Sequence, residues 1–295
     1  MEIRDSKLKS NSEVYSKLIK PFKVNEPLNG NYVLPENSGE IKDLIMTNGN
    51  SAMMDYEYLN ALVVFLRNLN SKSKIIFVSP YSKDEIKNFI ISKGVASKEE
   101  LDKLDSKLEA IKVNYYPTMW ARDFLQVFVN YNGKKEEITT VKPQRNPGYE
   151  LRPDKKVAQT LSENLGTKYE ELKGFPMDGG NTIATKNYVF LGVNALKEAK
   201  EYYNTDPTEI VKMFASRFPN QKLIIVGNNT QPVFHIDMFL SILKDNKDEK
   251  VALLADPDLT IKMVDELFSD NEKIYGYYSK KEIISNLKKY KRKYS

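Results

Sequence analysis

The 295-residue chain has no cysteine, one histidine and one tryptophan. Without a thiol there is no disulfide, no thiolate metal ligand and no cysteine nucleophile within these residues. One histidine on top of that leaves a structural zinc site without its usual ligands, so no metal or other cofactor is expected. Nor is there an apolar run near the roughly 18 residues that a membrane-spanning helix needs. The first residues, Met1-Glu2-Ile3-Arg4-Asp5, mix charges and lack the apolar stretch of a secretory signal. The expectation is a cytoplasmic protein that does not engage a membrane.

What remains is an ordinary globular composition. Hydrophobic residues make up 41% and charged residues 29% of a 34.0 kDa chain, enough to bury a sizeable core. The net charge is +5, and Lys288-Lys289-Tyr290-Lys291-Arg292-Lys293 alone holds that many positive charges. Such a tail can attract nucleic acid or anionic lipid, or be the solvated end of a helix. With no RNA-binding aromatic motif and no zinc-finger spacing, no nucleic-acid partner is expected.

Along the chain, apolar runs alternate with amphipathic stretches. Lys74 to Pro80 reads as a buried strand, and Tyr56 to Leu69 as a helix with Leu59, Leu62, Val63, Leu66 and Leu69 on one face. Helices are predicted at Lys83–Lys93 and Lys98–Ala110, and a strand at Ile111–Asn114. Phe124 to Tyr131 and Glu137 to Val141 form a hairpin through Asn132-Gly133. Further on come a helix at Asp154–Leu165, a strand at Asn187–Val193 and a helix at Asp206–Phe218 with Thr205 as its N-cap. Leu223–Gly227 reads as a buried strand, followed by His235–Leu243 and Val251–Ala255, then Leu259–Phe268 as a helix and Lys280–Ser295 as a last helix. The rhythm is that of ββαβ units without literal sequence repeats. Lys142 to Pro153, with three prolines, is the longest candidate loop and a candidate cover for a site.

Three short segments carry chemistry. Trp120-Ala121-Arg122-Asp123 closes a polar loop before an aromatic strand. By itself it reads equally as a core tryptophan beside a surface ion pair, or as an acid aimed into a pocket with Trp120 as a wall. Met177-Asp178-Gly179-Gly180-Asn181 is either a tight turn or a place where backbone crowds a ligand. Phe234-His235-Ile236-Asp237 holds the only imidazole. If Phe234 to Phe239 is extended, His235 and Asp237 share one face while Phe234, Ile236 and Met238 pack on the other. A lone histidine beside an unrelated aspartate is the plain alternative.

Taken in order, W-x-R-D, G-G-N and H-x-D resemble the guanidino-group-modifying (pentein) superfamily, most closely its agmatine deiminase and bacterial peptidyl-arginine deiminase branches. The likeness runs from about Tyr32 to about Phe268. It implies a mixed α/β fold, a propeller-like ring of five ββαβ modules with the site in its centre. It implies a small-molecule or peptidyl guanidino substrate, with Asp123 and Asp237 on the two edges of the guanidinium. Trp120, Arg122, Gly180 and Asn181 would line the substrate. His235 would be the general acid/base, oriented by Asp178, where the family carries a glutamate. Such chemistry is coherent: carboxylates neutralise and grip a flat cation, and an imidazole can both donate and accept a proton.

The superfamily's cysteine lies in a last module, well beyond H-x-D, and the residues after Asp237 contain no glycine-rich segment of that kind. The expectation is therefore a fifth module missing or incomplete, an N-terminal extension over residues 1–30 and one pentein-like domain over 31–295. Either the chain is a deiminase relative inactive as written, or it is a non-catalytic guanidino-binding or partner-binding protein. An open ring would expose strand edges and apolar faces, so self-association into a homo-oligomer is expected.

Overall fold

The computed structural model describes residues 30–36, 41–50, 54–144, 152–173, 177–227, 234–245, 250–270, 273–274 and 278–294. The expected N-terminal extension and most of the Lys142–Pro153 loop lie outside them.

The first layer is a parallel sheet of β2 (Asp43–Thr47), β3 (Lys74–Ser79) and β4 (Leu108–Lys112), with β3 in the middle. Helix α1 (Tyr56–Asn68) crosses from β2 to β3; α2 (Lys83–Ser92) and α3 (Lys98–Lys103) cross from β3 to β4. The central strand is apolar throughout because both its faces are covered. Ile75 and Phe77 pack against Leu59, Leu62 and Leu66 of α1 and Ile86 and Ile90 of α2. Ile76 and Val78 point the other way, to Ile111, Val157 and Leu161. Asp55 caps α1 through the Tyr58 amide, and Ser82 with Glu85 forms a reciprocal capping box on α2. The predicted helix to Ala110 stops at Lys103, because Leu108 to Lys112 pairs in register with β3 instead. Charge pairs at helical spacing had nothing to say about where pairing would end that helix.

Two ββαβ units follow. In the first, β5 (Gln126–Tyr131) and β6 (Glu136–Lys142) form the expected hairpin, with Gly133 at φ 82° in its turn. Helix α4 (Val157–Leu165) then leads to β7 (Lys168–Glu171), parallel to β6, while β1 (Gly30–Val33) borders β5 on the far side. In the second, β8 (Thr182–Ala184) pairs antiparallel with β9 (Tyr188–Gly192). Helices α5 (Val193–Tyr203) and α6 (Pro207–Arg217) lead to β10 (Lys222–Val226), parallel to β9. Asp206, not Thr205, caps α6, accepting from the Thr208 amide at 2.7 Å. These units share a core in which Phe218 meets Phe128 edge-on and Phe214 at a tilt, among Val33, Val141, Val189 and Leu191.

A third unit begins with β11 (Leu240–Asp245) and β12 (Lys250–Leu254), antiparallel, then α7 (Pro257–Leu267). A short β13–β14 pair (Lys273–Ile274 and Tyr278–Ser279) and α8 (Lys280–Tyr294) complete the described residues. Lys291 of α8 is paired with Asp258 and Lys280 with Asp265, so part of the basic helix leans on the acids of α7. No helix among the described residues is long and apolar enough to cross a membrane.

Candidate functional site

The loop before Trp120 is tied down on both sides. Thr47 donates to the Thr118 carbonyl at 2.6 Å, and the buried Asp154 accepts from the Thr118 amide at 2.6 Å. Gly49 lies so close that a Cβ there would stand 2.5 Å from the Tyr116 Cα. The chain then makes a single 3-10 turn, Ala121–Phe124, closed by the Asp123 amide on the Trp120 carbonyl at 3.1 Å. Buried Phe124 anchors this turn and leaves Arg122 and Asp123 to face the Asp178 segment. Trp120 is 57% exposed, so it is not core filler.

The Asp178 segment is built by its glycines. A Cβ on Gly179 would stand 1.7 Å from the Arg122 carbonyl oxygen. A Cβ on Gly180 would stand 2.3 Å from His235 Nδ1 and 2.8 Å from Asp123 Oδ1. Both positions therefore need glycine for close approach rather than for unusual torsions. What they admit is protein, the neighbouring turn and the imidazole. Asp178 Oδ1 accepts from the Gly180 amide at 3.0 Å, which folds the acid back over its own turn. Asn181 is buried and faces the other way, exchanging hydrogen bonds with Gly192 at 3.0 and 3.4 Å. Its place is a clasp between β8 and β9.

The His235 segment is not the strand expected from its alternation. His235 itself is extended (φ −122°, ψ 143°), but Ile236–Met238 is a 3-10 turn. Of the three residues expected to pack together, only Ile236 is buried, whereas Phe234 is 64% and Met238 56% exposed. The turn arises because the Asp237 amide bonds the Gly180 carbonyl at 3.1 Å while Ile236 fills the interior. His235 and Asp237 still reach the same cluster, by a tighter route.

The three segments converge. His235 Nδ1 lies 3.5 Å from Asp123 Oδ1, and Nε2 lies 3.4 Å from Asp178 Oδ1. These are ion-pair contacts, slightly longer than tight N–H···O hydrogen bonds. With a carboxylate on each ring nitrogen, the arrangement suits a doubly protonated imidazolium. Burial draws the His235 ring down, but Asp178, then Asp123 and Asp237, outweigh it and leave the ring above its ordinary value. Burial holds the Asp237 carboxyl above the usual carboxylate range, against the opposing pull of Arg122 and His235. Arg122 Nε stands 3.1 Å from Asp237 Oδ2 and donates to the Gly179 carbonyl at 2.9 Å. Its Nη2 donates to Glu36 at 2.6 Å and to the Thr182 carbonyl at 2.7 Å. Burial opposes its charge, and Glu36, Asp237 and Asp123 together hold the guanidinium above its ordinary value. Asp123, Asp178, His235, Asp237 and Gly180 are thus brought together. Trp120 stays at the surface, and Arg122 faces protein groups.

Glu36, Phe234 and Thr182 join the neighbourhood without having been read from the sequence. Phe234 stands edge-on to the His235 ring at 4.6 Å. Glu36 sits in no motif, and nothing in the order of residues marks it.

No protein-family model matches the sequence, and no curated protein does. Solved structures do. A cysteine-to-serine variant of agmatine deiminase from C. jejuni with substrate bound aligns at TM-score 0.50 and 16% identity, over 73% of this chain and 63% of that one. A structure assigned to a peptidyl-arginine deiminase aligns at TM-score 0.52 and 17% identity, over 76% and 69%. The chain thus has the fold of these two deiminase structures, the one expected from its resemblance to the guanidino-group-modifying (pentein) superfamily. The chain spans 63% of the length of the C. jejuni agmatine deiminase that it matches. Its mixed α/β architecture of several small sheets matches agmatine deiminase-like folds.

Proposed function

We propose that Asp123, Asp178, His235 and Asp237 form a guanidinium-binding site of the deiminase type, and that the ββαβ units are blades of a propeller-like ring around it. The observation that carries this reading is the convergence of three aspartates on one imidazole from segments more than fifty residues apart. Counting Glu36 and Arg122, the acids outnumber the cations even with His235 protonated, so the cluster favours a positively charged ligand. Asp123 and Asp237 accept from the edges of a planar cation in this reading, and the exposed rings of Trp120 and Phe234 offer it a face. His235, held as imidazolium by Asp178, is placed to protonate a departing amine and afterwards to activate water.

Attack on the central carbon needs a nucleophile, and a thiolate would have to come from outside these 295 residues. The chain by itself therefore binds a guanidino group without turning it over. That binding does not require the thiol has a parallel in the C. jejuni variant, which holds substrate with serine in place of cysteine. Calorimetry with agmatine and with arginine tests the reading. Binding that falls at least about tenfold in Asp123→Asn is expected from the loss of one charge-assisted contact. No heat with either ligand would sink it. Citrulline or ammonia release by the purified chain, abolished by His235→Ala, would show that the chain supplies its own nucleophile.

A second reading has its own support. Leu253, Leu254, Leu259 and Met263 are 43%, 69%, 55% and 47% exposed on adjacent elements of the third unit. Apolar side chains left uncovered in this way favour association, with a second copy or another chain. A compact monomer by sedimentation across a concentration series would remove that support.

A further inference from the structure

We propose that Arg122 and Glu36 are positioning residues that set the place of the Asp237 carboxylate, an inference that rests on the guanidinium-site reading. Arg122 ties three segments to its own: Glu36 after β1, the Gly179 and Thr182 carbonyls, and Asp237 in the His235 turn. Those partners lie 86, 57 and 60 residues away for Glu36, Gly179 and Thr182. Glu36 is itself fixed to β8, since its amide donates to the Ala184 carbonyl at 3.0 Å and its carboxylate accepts from the Ala184 amide at 3.4 Å. The guanidinium is therefore held from behind by the Gly179 and Thr182 carbonyls, and its charge stands against Asp237, with Nε 3.1 Å from Asp237 Oδ2.

Two physical points favour positioning over direct ligand contact. Arg122 carries the same charge as a guanidino ligand, so at contact distance it repels what the aspartates attract. And only a planar fork can serve several acceptors in fixed directions, which a lysine cannot. Its contribution to binding has to pass through Asp237, as geometry rather than as charge.

The test is a double-mutant cycle read on the His235 ring, the only imidazole of the chain, whose proton resonances report both agmatine binding and ring titration. Arg122→Lys keeps the charge and loses the fork. It is expected to weaken agmatine about tenfold in the parent and less than about twofold in an Asp237→Asn background, because the partner it positions is then gone. Equal losses in both backgrounds would overturn the proposal, as would full retention of affinity in Arg122→Lys. Should that variant fail to fold, Glu36→Gln at the exposed rim replaces it, with a loss of about threefold and the same collapse in Asp237→Asn. If the parent binds no agmatine, the functional reading fails, and the ring titration still decides the staple. Arg122→Lys then lowers the His235 midpoint in the parent, as Asp237 drifts away, and leaves it unmoved in Asp237→Asn. An unmoved midpoint in the parent would overturn it.

Discussion

The β2–β3–β4 layer and the β11–β12–α7 unit use similar apolar residues with opposite results. In β3, Ile75, Ile76, Phe77 and Val78 are all fully buried, because α1 and α2 cover one face and α4 the other. In the third unit the apolar side chains of β12 and α7 stand mainly in solvent, and among the described residues 250–270 Val264 alone reaches the buried class. Burial is decided by whether a second layer lies over the element, not by the element's own composition. The site straddles this divide. Asp123 and Asp178 ride on segments rooted in dense cores. His235 and Asp237 enter the thin unit, held by Ile236, by the Gly180 carbonyl and by Arg122. Buried Asp245 ties the same unit to the β8–β9 turn by accepting from Thr185 and Asn187.

The contrast is broken most directly by removing its strongest side. Phe77→Ala is expected to cost about 3–5 kcal/mol of unfolding free energy in a urea titration, since the ring is fully enclosed. A loss below about 1 kcal/mol would mean that the layer is not the rigid half of the molecule. Gly180→Ala comes next, at about 1–3 kcal/mol, because its Cβ would lie against His235 and Asp123. It should also abolish agmatine binding, and a variant that binds normally would show that the imidazole does not sit there.

The pH dependence sharpens the same point at a smaller scale. His235 is raised above its ordinary value, so its stabilising charge is fully present below the unfolded value of about 6.5 and is lost as pH rises through the folded midpoint. The stability difference between the parent and His235→Asn is therefore expected to shrink from about pH 6 towards pH 9 in denaturant titrations. A difference that grows with pH would mean that the ring is held neutral. Least affected of all, Leu254→Ala should change stability by under about 0.5 kcal/mol, its side chain being 69% exposed. A loss as large as that of Gly180→Ala would show that something covers β12 in solution.

Elements with strong periodicity were legible in the sequence. The stripe of α1, the run of β3 and the Asn132-Gly133 hairpin stand where the pattern placed them. Strands β1, β2, β7, β8, β13 and β14 and helix α5 were not read. The strands are short, and their pairing, for β1, β2 and β7 with partners far along the chain, makes them strands. Helix α5 follows β9 without a break, and the expected strand Asn187–Val193 runs onto its first residue. At the site, the acids and the histidine stood out by residue type and order. The extended reading of Phe234–Phe239 failed because alternation over six residues cannot show that a hydrogen bond to Gly180 and burial of Ile236 will turn the chain.

The residue order alone determined which groups are available: three aspartates, one imidazole, two glycines where nothing larger fits, and no thiol. Tertiary structure decided their relations. It put a carboxylate at each ring nitrogen, set Arg122 among Glu36, Asp237 and two backbone carbonyls, and brought in Glu36 from a stretch with no motif. The reason is one of range. Composition and spacing constrain neighbours along the chain, whereas distances of 3 to 4 Å between segments far apart in sequence exist only once the cores have fixed the frame.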